Sequence, residues 1–319
     1  MRYKVLVTPR SFGEGSDEPI RIMEDAGCEV IRMKPQGRLL QEEELASLVG
    51  ECDGMIVGLD PVSEKVITSG KRLKVISKYG VGLDNVDLEA AKARGIIVTY
   101  TPGANTEAVA DLAFGLMLAC ARNIPLADRK VRSGQWQKIT GSSVWGKTLG
   151  VIGTGRIGRA VVRRASGFDM RILCHDEQED PALISAYHVE YVQLDELFRQ
   201  SDYVTLHIPL TERTQNFIGA DELSIMKKTA YLINTARGEL VDEEALYQAL
   251  ISGKIAGAGL DVFQQEPPTG SKILGLENVV LAPHMGAHTA ESIINMSIMA
   301  SRNLVAALRG ERPEATVVS

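Results

Sequence analysis

The stretch Thr148-Leu149-Gly150-Val151-Ile152-Gly153-Thr154-Gly155-Arg156-Ile157-Gly158 decides the fold. Leu149 to Ile152 is a short apolar run of strand type. Gly153, Gly155 and Gly158 follow at Gly-x-Gly-x-x-Gly spacing, and Arg159 to Ala165 reads as a helix. Strand, glycine turn and helix N-terminus together make a dinucleotide phosphate site. The first glycine permits a tight turn and the second lets the backbone approach a pyrophosphate. The third lets helix and strand pack closely, while the exposed helix N–H groups face the anion.

Glycine spacing alone is a weak signal in a chain with 30 glycines, and the next strand strengthens it. That strand, Met170 to Cys174, leads to Asp176, 18 residues past Gly158. A carboxylate there accepts both adenosine ribose hydroxyls and repels a 2′-phosphate. Glu177, Glu179 and Asp180 deepen the negative field, so the pattern predicts NAD over NADP. The competing reading is a solvated acidic loop, which the preceding strand argues against. This half of the chain is read as a Rossmann unit.

The chain has 319 residues, enough for two domains of about 150 each. It is 45% hydrophobic and 5% aromatic, as expected of an α/β protein rich in aliphatic residues. A formal charge of −6, with basic residues scattered, argues against non-specific nucleic-acid binding. Cys28, Cys52, Cys120 and Cys174 lie far apart in apolar contexts and match no metal or CxxC spacing. Buried free thiols in a reducing cytoplasm are expected. The sequence opens on a strand, Lys4 to Thr8, with no signal peptide, and its longest apolar run, Leu112 to Ala121, is too short to cross a bilayer.

Before the glycine stretch, strands at 4–8, 29–33, 54–57, 74–77 and 96–99 alternate with helices at 20–26, 42–49, 63–70 and 88–94. Such alternation builds a parallel sheet covered by helices. Thr101-Pro102-Gly103 interrupts it, and Asn105 is placed to cap an apolar helix over 107–121 that leads into the second domain. Residues 122–145 read as a polar, irregular arm carrying Trp136 and Trp145, which serve either an oligomer interface or packing under the loop. After Asp176, strands at 203–208, 230–234, 258–262 and 279–282 are each ended or followed by a polar residue: His207, Arg237, Asp261 and His284. Carboxyl ends of parallel strands line the ligand crevice, so these four are expected to converge. A final helix over 290–308 stops at Gly310 and Pro313 and is expected to return to the first domain. The expected domains are 1–100 with 289–319, for substrate, and 101–288, for NAD.

Hydride transfer needs a cation for a substrate carboxylate and an acid/base near neutrality. Arg237 suits the first, as guanidinium holds carboxylate in a bidentate fork. His284 suits the second, with Glu266 able to bond the imidazole and fix its tautomer.

With these residues in view, the chain resembles the NAD-dependent D-isomer-specific 2-hydroxyacid dehydrogenases, in particular the phosphoglycerate dehydrogenase-like branch. The resemblance rests on Lys78-Tyr79-Gly80-Val81-Gly82-Leu83-Asp84-Asn85-Val86-Asp87, the 153–158 fingerprint, His207-Ile208-Pro209-Leu210-Thr211 and Asn234-Thr235-Ala236-Arg237-Gly238. It continues in Gly259-Leu260-Asp261-Val262-Phe263 with Glu266-Pro267, and in Ala282-Pro283-His284-Met285-Gly286. These motifs span essentially the whole chain in the family's order. The resemblance implies two doubly wound parallel-sheet domains, one Rossmann and one flavodoxin-like, usually as a homodimer. It assigns Arg237 to substrate, Glu266 and His284 to acid/base work, and Asp261 to the nicotinamide carboxamide. Gly153, Gly155, Arg156, Ile157, Gly158, Asp176, His207, Pro209, Thr214, Thr235, Ala236 and Gly286 fall to the cofactor. Lys78, Tyr79, Gly80, Val81 and Gly82 fall to the substrate, with backbone N–H groups around 79–82 cradling its carboxylate.

Tyr79 is either a substrate contact or a wall residue. His207 reads as a strand-end residue rather than a catalyst. His284 and His288 sit at two-histidine metal spacing without a third ligand, so no metal is expected. The expected substrate is a small anionic 2-hydroxy or 2-oxo acid. Gly58 stands where phosphoglycerate enzymes commonly carry arginine, whereas Lys78, Arg10 and Lys138 are cations for a second anion; phosphoglycerate therefore stays open beside sulfonated, dicarboxylic and sugar-derived acids. Two other functions share the scaffold: an NAD-sensing corepressor-like binding protein, against which the short tails argue, and phosphite oxidation.

Overall fold

The computed structural model describes residues 3–33 and 38–318. The chain divides into two units, Met1–Asn105 with Ala287–Ser319, and Thr106–Gly286.

The first unit holds strands β1 (Tyr3–Val7), β2 (Cys28–Arg32), β3 (Gly54–Val57), β4 (Val75–Lys78) and β5 (Ile97–Thr99). They run parallel in the order β2-β1-β3-β4-β5, the flavodoxin-like arrangement. Every residue of β3 and β4 is buried, which is why both read as unbroken apolar runs rather than alternating ones. Helix Ala290–Arg309 lies on this sheet. The Ser77 hydroxyl donates to the Ala300 carbonyl at 2.9 Å, and Leu304 is fully buried in a cluster with Val5, Ile56 and Val75. A buried leucine of this kind contributes about 2 kcal/mol. The Thr289 side chain caps the helix by accepting the Ser292 N–H, and Gly310 ends it in the left-handed conformation, φ +73°.

The second unit holds β6 (Thr148–Ile152), β7 (Arg171–His175), β8 (Glu190–Tyr191), β9 (Tyr203–Leu206), β10 (Tyr231–Asn234), β11 (Gly257–Leu260) and β12 (Val279–Leu281). All are parallel, in the order β8-β7-β6-β9-β10-β11-β12. Chain order reverses between β6 and β9, which is the Rossmann switch point. Helix Thr106–Ala121 is buried along most of its length, and its Cys120 thiol donates to the Ala258 carbonyl of β11. The last strand, β13 (Thr316–Val318), returns to the first unit and pairs antiparallel with β5.

Three local expectations are corrected. The arm over 122–145 contains a helix, Ile124–Arg132, with apolar residues at 124, 127 and 131, none of which is buried. Asn105 does not cap the helix that follows, because its buried Oδ1 accepts no hydrogen bond among the described residues. Strands β8 and β13 are two and three residues long and were not expected; such short strands are created by their partners rather than by their own propensity. Among the described residues, no single helix is long and apolar enough to cross a membrane. All four cysteines are buried and unbridged, and burial pushes the Cys120 and Cys174 thiols up to about 12.

Candidate active site

Strand register sets the site of the second unit. Ile152 pairs with His175 and with Leu206; Leu206 pairs with Asn234, Asn234 with Leu260, and Leu260 with Leu281. The next residues along each strand are Gly153, Asp176, His207, Thr235, Asp261 and Ala282. They leave the sheet at one level, on the edge where open parallel sheets bind ligands.

The three fingerprint glycines meet different surroundings. Gly153 has φ +94°, and a Cβ there would fall 2.6 Å from the His207 carbonyl oxygen. On Gly158 a Cβ would fall 1.9 Å from the Gly153 carbonyl oxygen, so helix Arg156–Ser166 can seat on the turn only without a side chain at that position. A Cβ on Gly155 would meet nothing within 4 Å. That open space, at the start of an 11-residue helix, is where backbone N–H groups can reach a phosphate. Arg156 is exposed beside it, with Ile157 half-buried.

The Asp176 carboxylate accepts the Thr154 N–H at 2.6 Å and hydroxyl at 3.0 Å, and the Glu177 N–H at 2.7 Å. Burial pulls its pKa upward, but the hydrogen bonds from Thr154 and Glu177 outweigh that and hold it below the ordinary aspartate value. Thr235 carries a buried hydroxyl with no hydrogen-bond partner among the described residues. A buried polar atom left unsatisfied at a ligand edge is one that a ligand can satisfy. The open cradle at Gly155 and this hydroxyl both fit a bound dinucleotide.

His207 approaches Thr205 Oγ1 through Nε2 at 2.9 Å, and burial pushes its imidazole down to about 3, so the ring is neutral. Pro209 and Thr214 are joined: the Thr214 hydroxyl donates to the Pro209 carbonyl at 2.8 Å and accepts the Thr211 N–H at 2.7 Å.

The remaining groups are built on the last three strand ends. The Asn234 amide donates to the Arg237 carbonyl at 2.7 Å and accepts the Ala236 N–H at 3.0 Å, shaping the turn that presents Arg237. The half-buried Arg237 guanidinium donates to the Ala236 carbonyl at 2.7 Å. Gly238 sits directly on the next loop, where a Cβ would fall 1.9 Å from the Phe263 carbonyl carbon. In that loop the Glu266 carboxylate accepts the Phe263 N–H at 3.1 Å through Oε1, and Oε2 stands 2.6 Å from His284 Nδ1. Side chains of Glu266 and His284 remain 31% and 27% exposed, so a ligand can reach them. With Nδ1 committed to the carboxylate, Nε2 is the nitrogen left to exchange a proton.

His284 holds φ +50°, uncommon for a side-chain-bearing residue. Its N–H donates to the Asp261 carbonyl at 2.8 Å. The Asp261 carboxylate then accepts the N–H groups of Met285 and Gly286, each at 2.8 Å. Burial pushes the Asp261 pKa above its ordinary value, though these two N–H groups pull against it.

The expected substrate residues of the first unit behave unequally. Lys78 is buried, and its ammonium donates to the Gly58 carbonyl at 2.5 Å and to Asn85 Oδ1. It braces the 58–85 segment, which corrects the expectation of a cation offered to a second anion. The Tyr79 ring lies edge-on to Phe12 at 5.9 Å, with its hydroxyl 3.3 Å from Ser11 Oγ and 3.5 Å from the Ile293 carbonyl it donates to. Of the two readings of Tyr79, packing is therefore favoured. The expected N–H cradle narrows as well. Tyr79 N–H is bonded to the Val57 carbonyl and Gly80 N–H to Thr101 Oγ1, whereas those of Val81 and Gly82 have no partner among the described residues. The sequence assigned no role to Thr154, Asn234 or Gly238; all three stood inside a motif, but only long-range geometry reveals what they touch.

A Rossmann sheet whose carboxyl edge carries a carboxylate–imidazole pair beside an arginine turn defines a nicotinamide-dependent oxidoreductase. The chain belongs to the D-isomer specific 2-hydroxyacid dehydrogenases: the model of that family's NAD binding domain matches residues 114–286. A glyoxylate reductase of Korarchaeum cryptofilum is 48% identical over 83% of this chain and 82% of its own. A hydroxypyruvate reductase of Thermotoga maritima is 46% identical, covering 79% and 84% respectively. A D-3-phosphoglycerate dehydrogenase of Methanocaldococcus jannaschii is 42% identical over 98% of this chain but 59% of its own. Among solved structures, the TT0316 protein of Thermus thermophilus superposes with a TM-score of 0.91 at 40% identity, covering 99% of this chain and all of that one. The protein is thus an enzyme, an NAD-binding 2-hydroxyacid dehydrogenase, and the enzymatic reading prevails over the corepressor-like one.

Proposed function

We propose that this enzyme reduces a small 2-oxo acid with no second charged group, glyoxylate to achiral glycolate or hydroxypyruvate to D-glycerate. The 2.6 Å Glu266–His284 pair carries the reading, since it orients one imidazole nitrogen toward a reacting oxygen. Bound NADH supplies the hydride that C2 receives. His284 Nε2 delivers the proton to the carbonyl oxygen, and the neighbouring Glu266 carboxylate stabilises the imidazolium before transfer. The Arg237 guanidinium neutralises the charge growing on that oxygen. The unpartnered N–H groups of Val81 and Gly82 are assigned to the substrate carboxylate. On the cofactor side, Asp176 is assigned to the adenosine ribose, favouring NAD over NADP, Asp261 to the nicotinamide carboxamide, and Pro209, Thr214, Thr235, Ala236 and Gly286 to the same molecule.

An uncharged tail is favoured because position 58 carries no cation and the Lys78 ammonium is bonded to the Gly58 carbonyl. The names of the Korarchaeum and Thermotoga relatives agree with that choice. We further infer a homodimer in a reducing cytoplasm. The 122–145 arm exposes Ile124, Val131, Trp136 and Trp145, and the four unbridged thiols suit that compartment.

Replacing His284 with Ala tests the assignment. Turnover is expected to fall by about two to four orders of magnitude, with NADH binding retained by nucleotide fluorescence. Undiminished turnover contradicts the proposal.

A further inference from the structure

Asp176 does not stand alone. Thr154, the residue between the first two fingerprint glycines, donates both its N–H and its hydroxyl to Asp176 Oδ2. The same hydroxyl accepts a hydrogen bond from the Tyr191 hydroxyl at 3.0 Å, and the Tyr191 oxygen in turn accepts the Asp180 N–H at 3.1 Å. Tyr191 closes β8, and Asp180 caps helix Pro181–Tyr187. Every donor in the series Asp180 N–H, Tyr191 O–H, Thr154 O–H points one way, and the series terminates on the carboxylate. Hydrogen bonds aligned in this manner polarise one another.

The surroundings hold the series in place. Thr154 is buried. Its carbonyl accepts Arg159 Nε at 3.1 Å, and the Arg159 guanidinium pairs with the Asp180 carboxylate at 2.9 Å. Thr154 and Asp180 are therefore both tied, through Arg159, to the helix that begins at Arg156. With Oδ2 taken by Thr154 and Oδ1 by the Glu177 N–H, the carboxylate has one orientation and its remaining lone pairs one outlook.

We propose that Tyr191, acting through Thr154, is a positioning residue for dinucleotide selection. It locks the Asp176 carboxylate in the orientation that accepts ribose hydroxyls and repels a 2′-phosphate. The proposal rests on the assignment of Asp176 to the ribose and adds the device that holds it. Without the tyrosine hydroxyl, Thr154 can turn its own hydroxyl elsewhere and Asp176 gains freedom to swing aside. NADH then loses a fixed acceptor while NADPH escapes part of the repulsion, so the two affinities move in opposite senses.

The test is nucleotide binding without turnover: dissociation constants of NADH and NADPH by fluorescence, on the full-length protein. Tyr191→Phe removes only the hydroxyl at a half-buried site, and Thr154→Val removes the middle link. Each is expected to shift the NADPH-to-NADH affinity ratio toward NADPH by about 3-fold to 10-fold, the scale of one hydrogen bond. Thr154→Ser, which keeps the hydroxyl, is expected to hold the wild-type ratio. Asp176→Asn is the control for the underlying assignment, with a larger shift in the same direction. If Asp176→Asn shifts the ratio and the folded Tyr191→Phe and Thr154→Val proteins do not, or lose both nucleotides equally, the positioning role is wrong. If Asp176→Asn itself leaves the ratio unchanged, the ribose assignment fails and takes this proposal with it.

Discussion

Gly238 and Phe263 are in backbone contact: a methyl group on residue 238 would fall 1.9 Å from the Phe263 carbonyl carbon and 2.2 Å from its oxygen. The turn presenting Arg237 is thereby pressed onto the loop that carries Glu266. The two backbones meet this closely only because residue 238 has no Cβ.

Gly238→Ala is accordingly expected to push these backbones apart. Displacements of about 1 Å at a reacting centre cost roughly 100-fold in rate, so turnover should fall by about that factor. NADH affinity should change little, because the glycine turn at 153–158 is untouched. Steady-state rates together with fluorescence titration check both halves, and full turnover in the variant contradicts the stated contact.

His207 predicts an acid-sensitive fold. Its folded pKa, lowered to about 3 by burial, lies far below the ordinary 6.5. Above pH 6.5 both folded and unfolded chains carry a neutral ring, and the group has no effect on stability. As pH falls below 6.5 the unfolded chain binds a proton that the folded one refuses, so stability declines until about pH 3. At pH 4.5, two units into that window, the loss is about 3 kcal/mol. His207→Gln removes this component. Urea unfolding of both proteins at pH 7 and pH 4.5 should show the wild type losing more stability than the variant, and equal losses exclude the half-buried neutral imidazole.

The 122–145 arm predicts an assembly. Trp136 is 93% exposed, and Ile124 and Val131 lie on a helix with no buried residue. Light scattering of the wild type should give about twice the 34.6 kDa chain mass, and Trp136→Glu should lower it toward one. A monomeric wild type at micromolar concentration argues against the arm as an interface.

Much of the fold and site was legible in sequence because its causes are local. The glycine spacing at 153–158 is dictated by turn, phosphate approach and helix seating within a few residues, and Asp176 follows from the length of one helix–strand step. Arg237, Glu266 and His284 could be named because the chemistry demands those residue types. What escaped depends on distant partners. The Lys78 ammonium reads as a free cation until the Gly58 carbonyl and Asn85 are seen beside it. Tyr79 reads equally as a substrate contact or a wall residue until Phe12 is seen against its ring and the Ile293 carbonyl at its hydroxyl. Helix Ile124–Arg132 escaped because its few apolar residues are diluted by a charged, proline-containing sequence, and the role of Thr154 escaped because its partner Tyr191 lies 37 residues away.

Reduction of a 2-oxo acid with an uncharged tail is tested most directly by NADH oxidation with the purified wild type. Glyoxylate, hydroxypyruvate, pyruvate, oxaloacetate, sulfopyruvate and 3-phosphohydroxypyruvate would be compared at equal concentration. The highest kcat/KM is expected for glyoxylate or hydroxypyruvate. The phosphorylated acid should be at least about 10-fold lower, since the Lys78 ammonium is already bonded within its own unit and an unpaired charge costs at least that much. A preference for 3-phosphohydroxypyruvate, or no turnover of any of the six, contradicts that function.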